Sequence, residues 1–325
     1  MLLSCIIGLT ILIVKCVPEN ESMGDAGQTL VKVYPGGFAV LSLNPLSTSQ
    51  TMSLLEVRRD LAGPSALNER TTAVLQFDSD TSILNNFNAD NSTDFIPLPL
   101  NFFSTTPELQ NGKMTVIIDE GEFVKTVTIT VPDAMEFDFT KNYAVTFSLN
   151  TVSGEGKKSQ AADSVMIVQV QAKNKYDGIY EVTANSPMID VVNPAITGYY
   201  PFNYKLVTTG EHTCDIFELD NDYPLHPITS AAGAWSSYGA FCPMLTFDDS
   251  GDGTIVSADN IFGPDAGANM RDCILDPSGI NKWEVINNTK TIRIKYIMIQ
   301  KANTSLTDPW YRTFFDETWT YIGPR

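Results

Sequence analysis

The sequence predicts an all-β protein of two domains, a β-sandwich followed by an antiparallel β-barrel or a second sandwich. Apolar residues recur at every second position along many short segments, the spacing of strands with one face buried. Those segments are rich in Val, Ile, Thr and Tyr, which suit a pleated sheet. Gly and Pro punctuate them, helical periodicity is almost absent, and no solenoid repeat is evident.

The first segment stands apart from this pattern. Ile6 to Val14 is apolar and uncharged, long enough for the core of an export signal and short of the roughly 20 residues that span a bilayer. Cys16 closes the run, and Pro18, Glu19, Asn20, Glu21, Ser22 and Gly24 continue as a polar tether. A cysteine at such a switch is where bacterial lipoproteins are cleaved and acylated, so Cys16 is the expected lipidation site. Lys15 replaces the small residue usual before it, and Cys5 and a plain signal peptide are the alternatives. The expected organisation is a signal over 1–16, a tether over 17–28, a sandwich over 29–173 and a barrel over 176–325.

In the first domain, Lys125 to Val131 alternates most clearly, with Val127, Ile129 and Val131 on one face and Thr126, Thr128 and Thr130 on the other. Thr115 to Ile118, Tyr143 to Leu149 and Val165 to Ala172 follow the same rule. One short helix is expected from Ser82 to Phe87, capped by Asp80 or Thr81. Several short strands in about 145 residues suggest a sandwich. In the second half the strand candidates are Gly178 to Ala184, Tyr199 to Thr208, Cys214 to Leu219, Leu245 to Phe247, Thr254 to Ser257, Thr291 to Gln300 and Arg312 to Ile322. Ile292, Ile294, Tyr296 and Met298 share one face there.

Composition narrows the partners. With 21 Lys plus Arg against 38 Asp plus Glu, the formal charge is −17 over 325 residues. A body this acidic repels nucleic acid and anionic membranes, so acyl chains would have to supply any membrane affinity. At 43% hydrophobic and 18% charged, the chain is too apolar to be disordered.

Few residues carry chemistry. His212 and His226 are the two histidines, and neither belongs to a nucleophile motif or a zinc spacing; both are expected in structural or surface duty. Asp316 and Glu317 are adjacent, which sends them to opposite faces of a strand, a poor arrangement for flanking one glycosidic bond; solvated acids are the expectation. Asp248, Ser250, Asp252, Gly253 and Asp259 fit a calcium-loop spacing, but strand-like flanks favour a hairpin turn, leaving calcium the weaker reading and no other cofactor expected. Cys214, Cys242 and Cys273 are expected as buried thiols, one oxidised pair being the alternative. Trp235 and Tyr238 lie in a small-residue loop, Trp310 and Tyr311 in another. Such rings either close a barrel end or stack on sugars, which makes these four the candidate ligand-binding residues.

A family resemblance adds to this. Met23-Gly24-Asp25-Ala26-Gly27 after a lipoprotein-type start, Leu84-Asn85-Asn86-Phe87-Asn88 ahead of Phe95-Ile96-Pro97-Leu98-Pro99, the junction Lys175-Tyr176-Asp177-Gly178-Ile179-Tyr180, and the ending Phe315-Asp316-Glu317-Thr318-Trp319-Thr320-Tyr321-Ile322-Gly323-Pro324-Arg325 resemble Bacteroidota surface lipoproteins. The resemblance covers nearly the whole chain after its leader. It implies an immunoglobulin-like sandwich, a calycin- or lipocalin-like barrel, and a lipid-anchored place on the outer membrane facing outward. Such lipoproteins accompany starch-utilisation-type glycan importers, so the implied partners are oligosaccharide or polysaccharide and importer components. Relatives with a glycosidase domain carry a DxxDxDxE motif; none occurs here, and a non-enzymatic binding accessory is expected, with a structural or interaction subunit as the alternative.

Overall fold

A computed structural model describes residues 27–160 and 163–325; the Cys16 and Cys5 lipidation expectations lie outside them. The chain is all-β apart from one α-helix and three short 3-10 turns among the described residues.

The first half is a sandwich of a five-stranded and a six-stranded sheet. Its first strand is split between them. Leu30–Tyr34 pairs antiparallel with Gln50–Asp60 in one sheet, whereas Gly37–Leu43 runs parallel to Val165–Ala172 in the other. Gly36 and Gly37 make the crossing at φ of 78° and 69°, a region costly for residues with a Cβ. Alternation then fills the space between the sheets. Val127, Ile129 and Val131 point inward as the pattern requires, against Leu75, Val116, Ile118, Phe147 and Val168.

The helix runs over Ser82–Asn91, longer than the sequence suggests. Thr81 is its N-cap residue, as expected, but makes no side-chain cap bond; the Asp78 carboxylate accepts from the Leu84 amide at 3.0 Å while Asp80 accepts from Ser82 at 3.1 Å. Leu84 and Phe95 pack the helix and its following loop onto Ala144 and Ile167, outside the sandwich.

The second half is a strongly bent antiparallel sheet in the order Ile255–Asn260, Pro243–Phe247, Thr213–Glu218, Phe202–Thr208, Gly178–Ala184, Tyr311–Gly323, Thr289–Gln300, Arg271–Leu275. Its two ends meet as a nearly closed barrel. At one end of the seam the Ile255 amide bonds to Asn281 O and the Trp283 amide to Gly253 O, both at 2.8 Å. At the other end the Asn260 side chain reaches across, donating to Ala240 O at 3.0 Å and Arg271 O at 3.1 Å. The interior is filled with Tyr180, Tyr204, Tyr296, Phe241, Phe315 and Trp319, so the barrel holds a packed core where a lipocalin-like barrel would offer a cup.

The two halves are tied at the junction by Asp177. Its carboxylate accepts from the Arg325 guanidinium at 2.9 and 3.0 Å and from the Thr208 amide and hydroxyl at 2.9 and 2.8 Å. Arg325 also bonds to Phe139 O in the sandwich at 3.2 Å. Cys214, Cys242 and Cys273 are free and buried.

Candidate functional site

A small three-stranded sheet lies across the barrel: Thr197–Gly198, Pro227–Thr229 and Trp235–Ser237. Register sets what each face carries. Pro227 lies opposite Ser237 and Thr229 opposite Trp235, so these four share one face. Strand alternation then turns His226 and Ile228 the other way, into the barrel. The same rule acts along Gly198-Tyr199-Tyr200: Tyr199 faces out and Tyr200 faces in. A Cβ on Gly198 would stand 2.0 Å from the Tyr200 ring, so only glycine permits this close fold.

On the inner side the sequence's least conspicuous acid becomes a hub. Glu317 is 0% exposed. Its Oε1 accepts from Tyr200 at 2.5 Å and meets His226 Nε2 at 2.9 Å. Its Oε2 accepts from Tyr296 at 3.0 Å and Trp319 Nε1 at 2.8 Å. His226 Nδ1 lies 2.9 Å from Pro227 O; a carbonyl can only accept, so Nδ1 carries a proton. Nε2 and Oε1 therefore share one further proton, either as imidazolium and carboxylate or as neutral imidazole and acid. Both states leave the pair neutral as a whole, which is how a buried ionisable pair avoids an unpaired charge. Burial, and then the Glu317 charge, push the Tyr200 and Tyr296 hydroxyls far above the usual phenol value, so both remain donors. With no exposure, the hub can position groups but cannot touch a substrate.

This corrects the expectation that both acids are solvated. Asp316 and Glu317 do point to opposite faces, but Glu317 is a core residue. Asp316 alone is partly solvated, bonded to Asn185 at 2.9 Å and to Lys295 at 3.3 Å. His226 keeps its expected structural duty: just ahead of the strand Pro227–Thr229 it points into the core, where its ring centre lies 4.4 Å from that of Phe315.

On the outer side the same strands wall a cleft of about 360 Å³, lined by Tyr199, Asn203, Asp220, Asn221, Pro227 and Trp235 among others. Trp235 is 46% exposed and Tyr199 44%, and what sets them apart from other exposed rings is that both line one cleft. Glu218 and Asp220 also line it, from one strand end and its turn, so the two carboxylates share a wall and do not face each other across a bond.

The four sequence candidates are thereby separated. Trp235 lines the cleft. Tyr238 is a correction: at 3% exposure it is core, with its hydroxyl on Asp190 at 2.6 Å and the Arg271 and Arg312 guanidinia 5.3 and 5.2 Å from its ring centre. Three residues beyond Trp235, it belongs to the chain's return into the barrel. Trp310 is half-buried at a turn before the last strand, and Tyr311 starts that strand edge-on to Phe314 at 6.1 Å; neither lines the cleft. Tyr199 escaped the sequence reading because it was absorbed into a strand candidate. The Gly-Tyr-Tyr-Pro run, a ring pair between two turn formers, was the available signal.

The calcium-spaced residues do not converge. Asp248 and Asp252 fold back on the amides of Ser250 and Thr254 at 2.7 and 2.8 Å in a hairpin turn, while Asp259 lies on the following strand and accepts from Ser257 at 2.6 Å. Among the described residues no group of three or more His, Cys, Asp and Glu side chains could hold a metal ion.

A larger cleft, about 560 Å³, opens at the edge of the sandwich beside Phe77, Leu100, Phe103 and Leu109. Size alone does not make it the better site, because its apolar wall presents no half-exposed Trp or Tyr ring and three of its polar side chains are engaged within the protein. Gln76 bonds to Phe77 O and Gly112 O at 3.1 and 2.9 Å, Thr105 to Pro107 O at 2.9 Å, and Glu108 accepts from Gln110 at 3.1 Å.

A family model described only as a "-like, N-terminal domain" matches residues 44–156, within the sandwich. No curated protein matches the chain. A protein of unknown function from Bacteroides ovatus is similar with a TM-score of 0.52 at 11% identity, over 91% of this chain and 95% of that one. That likeness shows a shared fold. An auxiliary nutrient binding protein from Bacteroides thetaiotaomicron gives a TM-score of 0.47 at 13% identity, over 87% of this chain and 90% of that one. A Bacteroides ovatus protein provisionally named carbohydrate binding gives 0.37 at 10%, over 89% and 79%. Scores that low carry no argument about activity.

Proposed function

We propose that this protein is a non-catalytic glycan-binding accessory that holds a sugar chain in the Trp235–Tyr199 cleft. The observation that carries the reading is the pair of half-exposed rings facing outward beside Asn203, Asp220 and Asn221. An aromatic face matches the apolar face of a pyranose, and amide and carboxylate groups at its edge match the hydroxyls. The buried Glu317 hub supports the geometry: it ties down Tyr200 and His226, each one residue from a cleft-lining neighbour, and so holds both walls on rigid backbone. In the same reading, lipid at Cys16 anchors the protein on the outer membrane, and an importer receives what the cleft captures. These two elements rest on the sequence pattern and the family resemblance.

Magnitudes suit an accessory. Covering one ring face removes roughly 75 Å² of apolar surface from water, about 2 kcal/mol at about 25 cal/mol per Å². Two rings give about 4 kcal/mol, a millimolar site, which becomes useful when many copies on one surface meet one polymer. Trp235→Ala should weaken polysaccharide binding about 30-fold, from the loss of one such face. Binding of the wild type to none of a broad glycan array, with co-purification of a protein complex instead, would replace this reading with that of an interaction subunit.

A further inference from the structure

The lining of the cleft also states which sugars it accepts, on the premise that it binds glycan at all. Every side chain on its wall that is charged at neutral pH is acidic: Glu218 and Asp220. Glu218 is committed to its own turn, with Oε1 accepting from the Asp220 amide at 3.3 Å and Oε2 from the Asn221 amide and side chain at 2.8 and 2.6 Å. These bonds orient Asn221 with its Nδ2 toward Glu218, which leaves its Oδ1 as the group free for a ligand. Asp220 keeps both carboxylate oxygens open, since no hydrogen bond or ion pair among the described residues engages its side chain. The neighbouring cation, Lys205, is held by Asp222. The formal charge on the wall is therefore negative throughout, hostile to anions, while the uncharged Asn203, Tyr199 and Trp235 add donors to the acceptors of Asp220 and Asn221.

We infer that the cleft selects uncharged sugars against uronic and sulfated ones, with Asp220 as the discriminating residue. An anionic group held about 5 Å from the Asp220 carboxylate in a water-like dielectric binds about fourfold more weakly than its neutral counterpart. The penalty fades as salt shortens the screening length from about 10 Å at 0.1 M to about 3 Å at 1 M.

Affinity electrophoresis of the mature protein tests this, in gels containing neutral polysaccharides (xylan, mannan, mixed-linkage glucan), polygalacturonate, or chondroitin sulfate. Asp220→Lys is compared with Asp249→Lys, which makes the same charge change at a hairpin residue whose side chain is 96% exposed and outside the cleft lining. Retention of the wild type by a neutral polymer only, with D220K gaining about tenfold on polygalacturonate relative to D249K, supports the inference. Wild-type retention by polygalacturonate or chondroitin sulfate equal to that by the neutral polymers overturns it, as does a D220K variant no better than D249K. No retention on any polymer removes the glycan-binding reading itself and this inference with it.

Discussion

The two cores of this protein are built on different chemistries. Between the sandwich sheets the filling is mainly aliphatic: Val31, Val57, Leu75, Val116, Ile118, Val127, Ile129 and Val168 meet beside a few rings such as Phe77 and Phe147, with few polar atoms. The barrel interior is aromatic and polar, with four of its largest buried side chains (Trp319, Tyr180, Tyr204, Tyr296) carrying an N–H or O–H. Two sheets about 10 Å apart are filled by branched aliphatics, but an eight-stranded barrel encloses more volume and recruits larger rings. Rings with polar tips need acceptors, because a buried donor without one costs about 1–3 kcal/mol. Glu317 answers this for Tyr200, Tyr296 and Trp319 at once and also meets His226; Tyr180 donates instead to Tyr176 O at 2.8 Å, and the Tyr204 hydroxyl has no hydrogen-bond partner among the described residues. The sandwich places its own buried charge differently, at an end: Arg59 donates to the carbonyls of Ala66, Glu69, Asp119 and Glu122 at 2.6 to 3.1 Å. One core is thus held by packing, the other by packing around a single hydrogen-bonded hub.

If that contrast is right, the most damaging single change is Glu317→Ala. It orphans Tyr200, His226, Tyr296 and Trp319 together and should cost about 3–5 kcal/mol or more, a large part of a domain's stability. Denaturant titration should then show the barrel unfolding ahead of the sandwich; a single unshifted transition would dissolve the contrast. Leu75→Ala should cost about 2–5 kcal/mol from the transfer loss and the cavity left behind, and should move the sandwich transition while leaving the barrel's in place.

Asp190 sharpens the comparison by pH. Burial raises its pKa, but the Arg312 guanidinium, the Tyr238 hydroxyl and the Asn193 amide together outweigh burial and hold it below the usual carboxylate value. A folded value below the unfolded one means that stability is present above about pH 3.9 and is lost as pH falls through the lower folded value. Asp190→Asn should therefore lower stability at neutral pH by about 1–3 kcal/mol and flatten the acid limb of the barrel's stability profile. An unchanged acid limb would deny Asp190 that role.

Smaller effects belong to the surface. Trp235→Ala should alter stability by no more than about 0.5 kcal/mol, unlike any change at Tyr238, and urea melts of the two variants distinguish platform from core. Calcium should leave the melting temperature unshifted, because the carboxylates of Asp248 and Asp252 are already turned onto backbone amides; a calcium-dependent rise would show a site that the turn geometry does not provide.

Fold class and most barrel strands were legible because period-two alternation survives wherever a strand has one wet face. The inward set of Ile292, Ile294, Tyr296 and Met298 is buried as its spacing requires. Gly37–Leu43 was not legible because Phe38 and Val40 on its outer face are as apolar as Leu41 and Leu43 on its inner one, and Arg271–Leu275 because it is only five residues long. The site was half legible. Trp235 stands out as a large ring among small residues, but nothing local tells it from Tyr238, since three residues of backbone turn one ring outward and the other inward. Glu317 was hidden for a related reason: alternation gave its face but not what that face meets, and its partners Tyr200 and His226 lie 117 and 91 residues away.

The most direct test of the outward-facing aromatic cleft is affinity electrophoresis on neutral polysaccharide of the wild type, Trp235→Ala and Trp310→Ala. The account predicts that wild type and the Trp310 variant are retarded alike while the Trp235 variant migrates as it does in a gel without glycan. Retardation of the Trp235 variant equal to the wild type would contradict it.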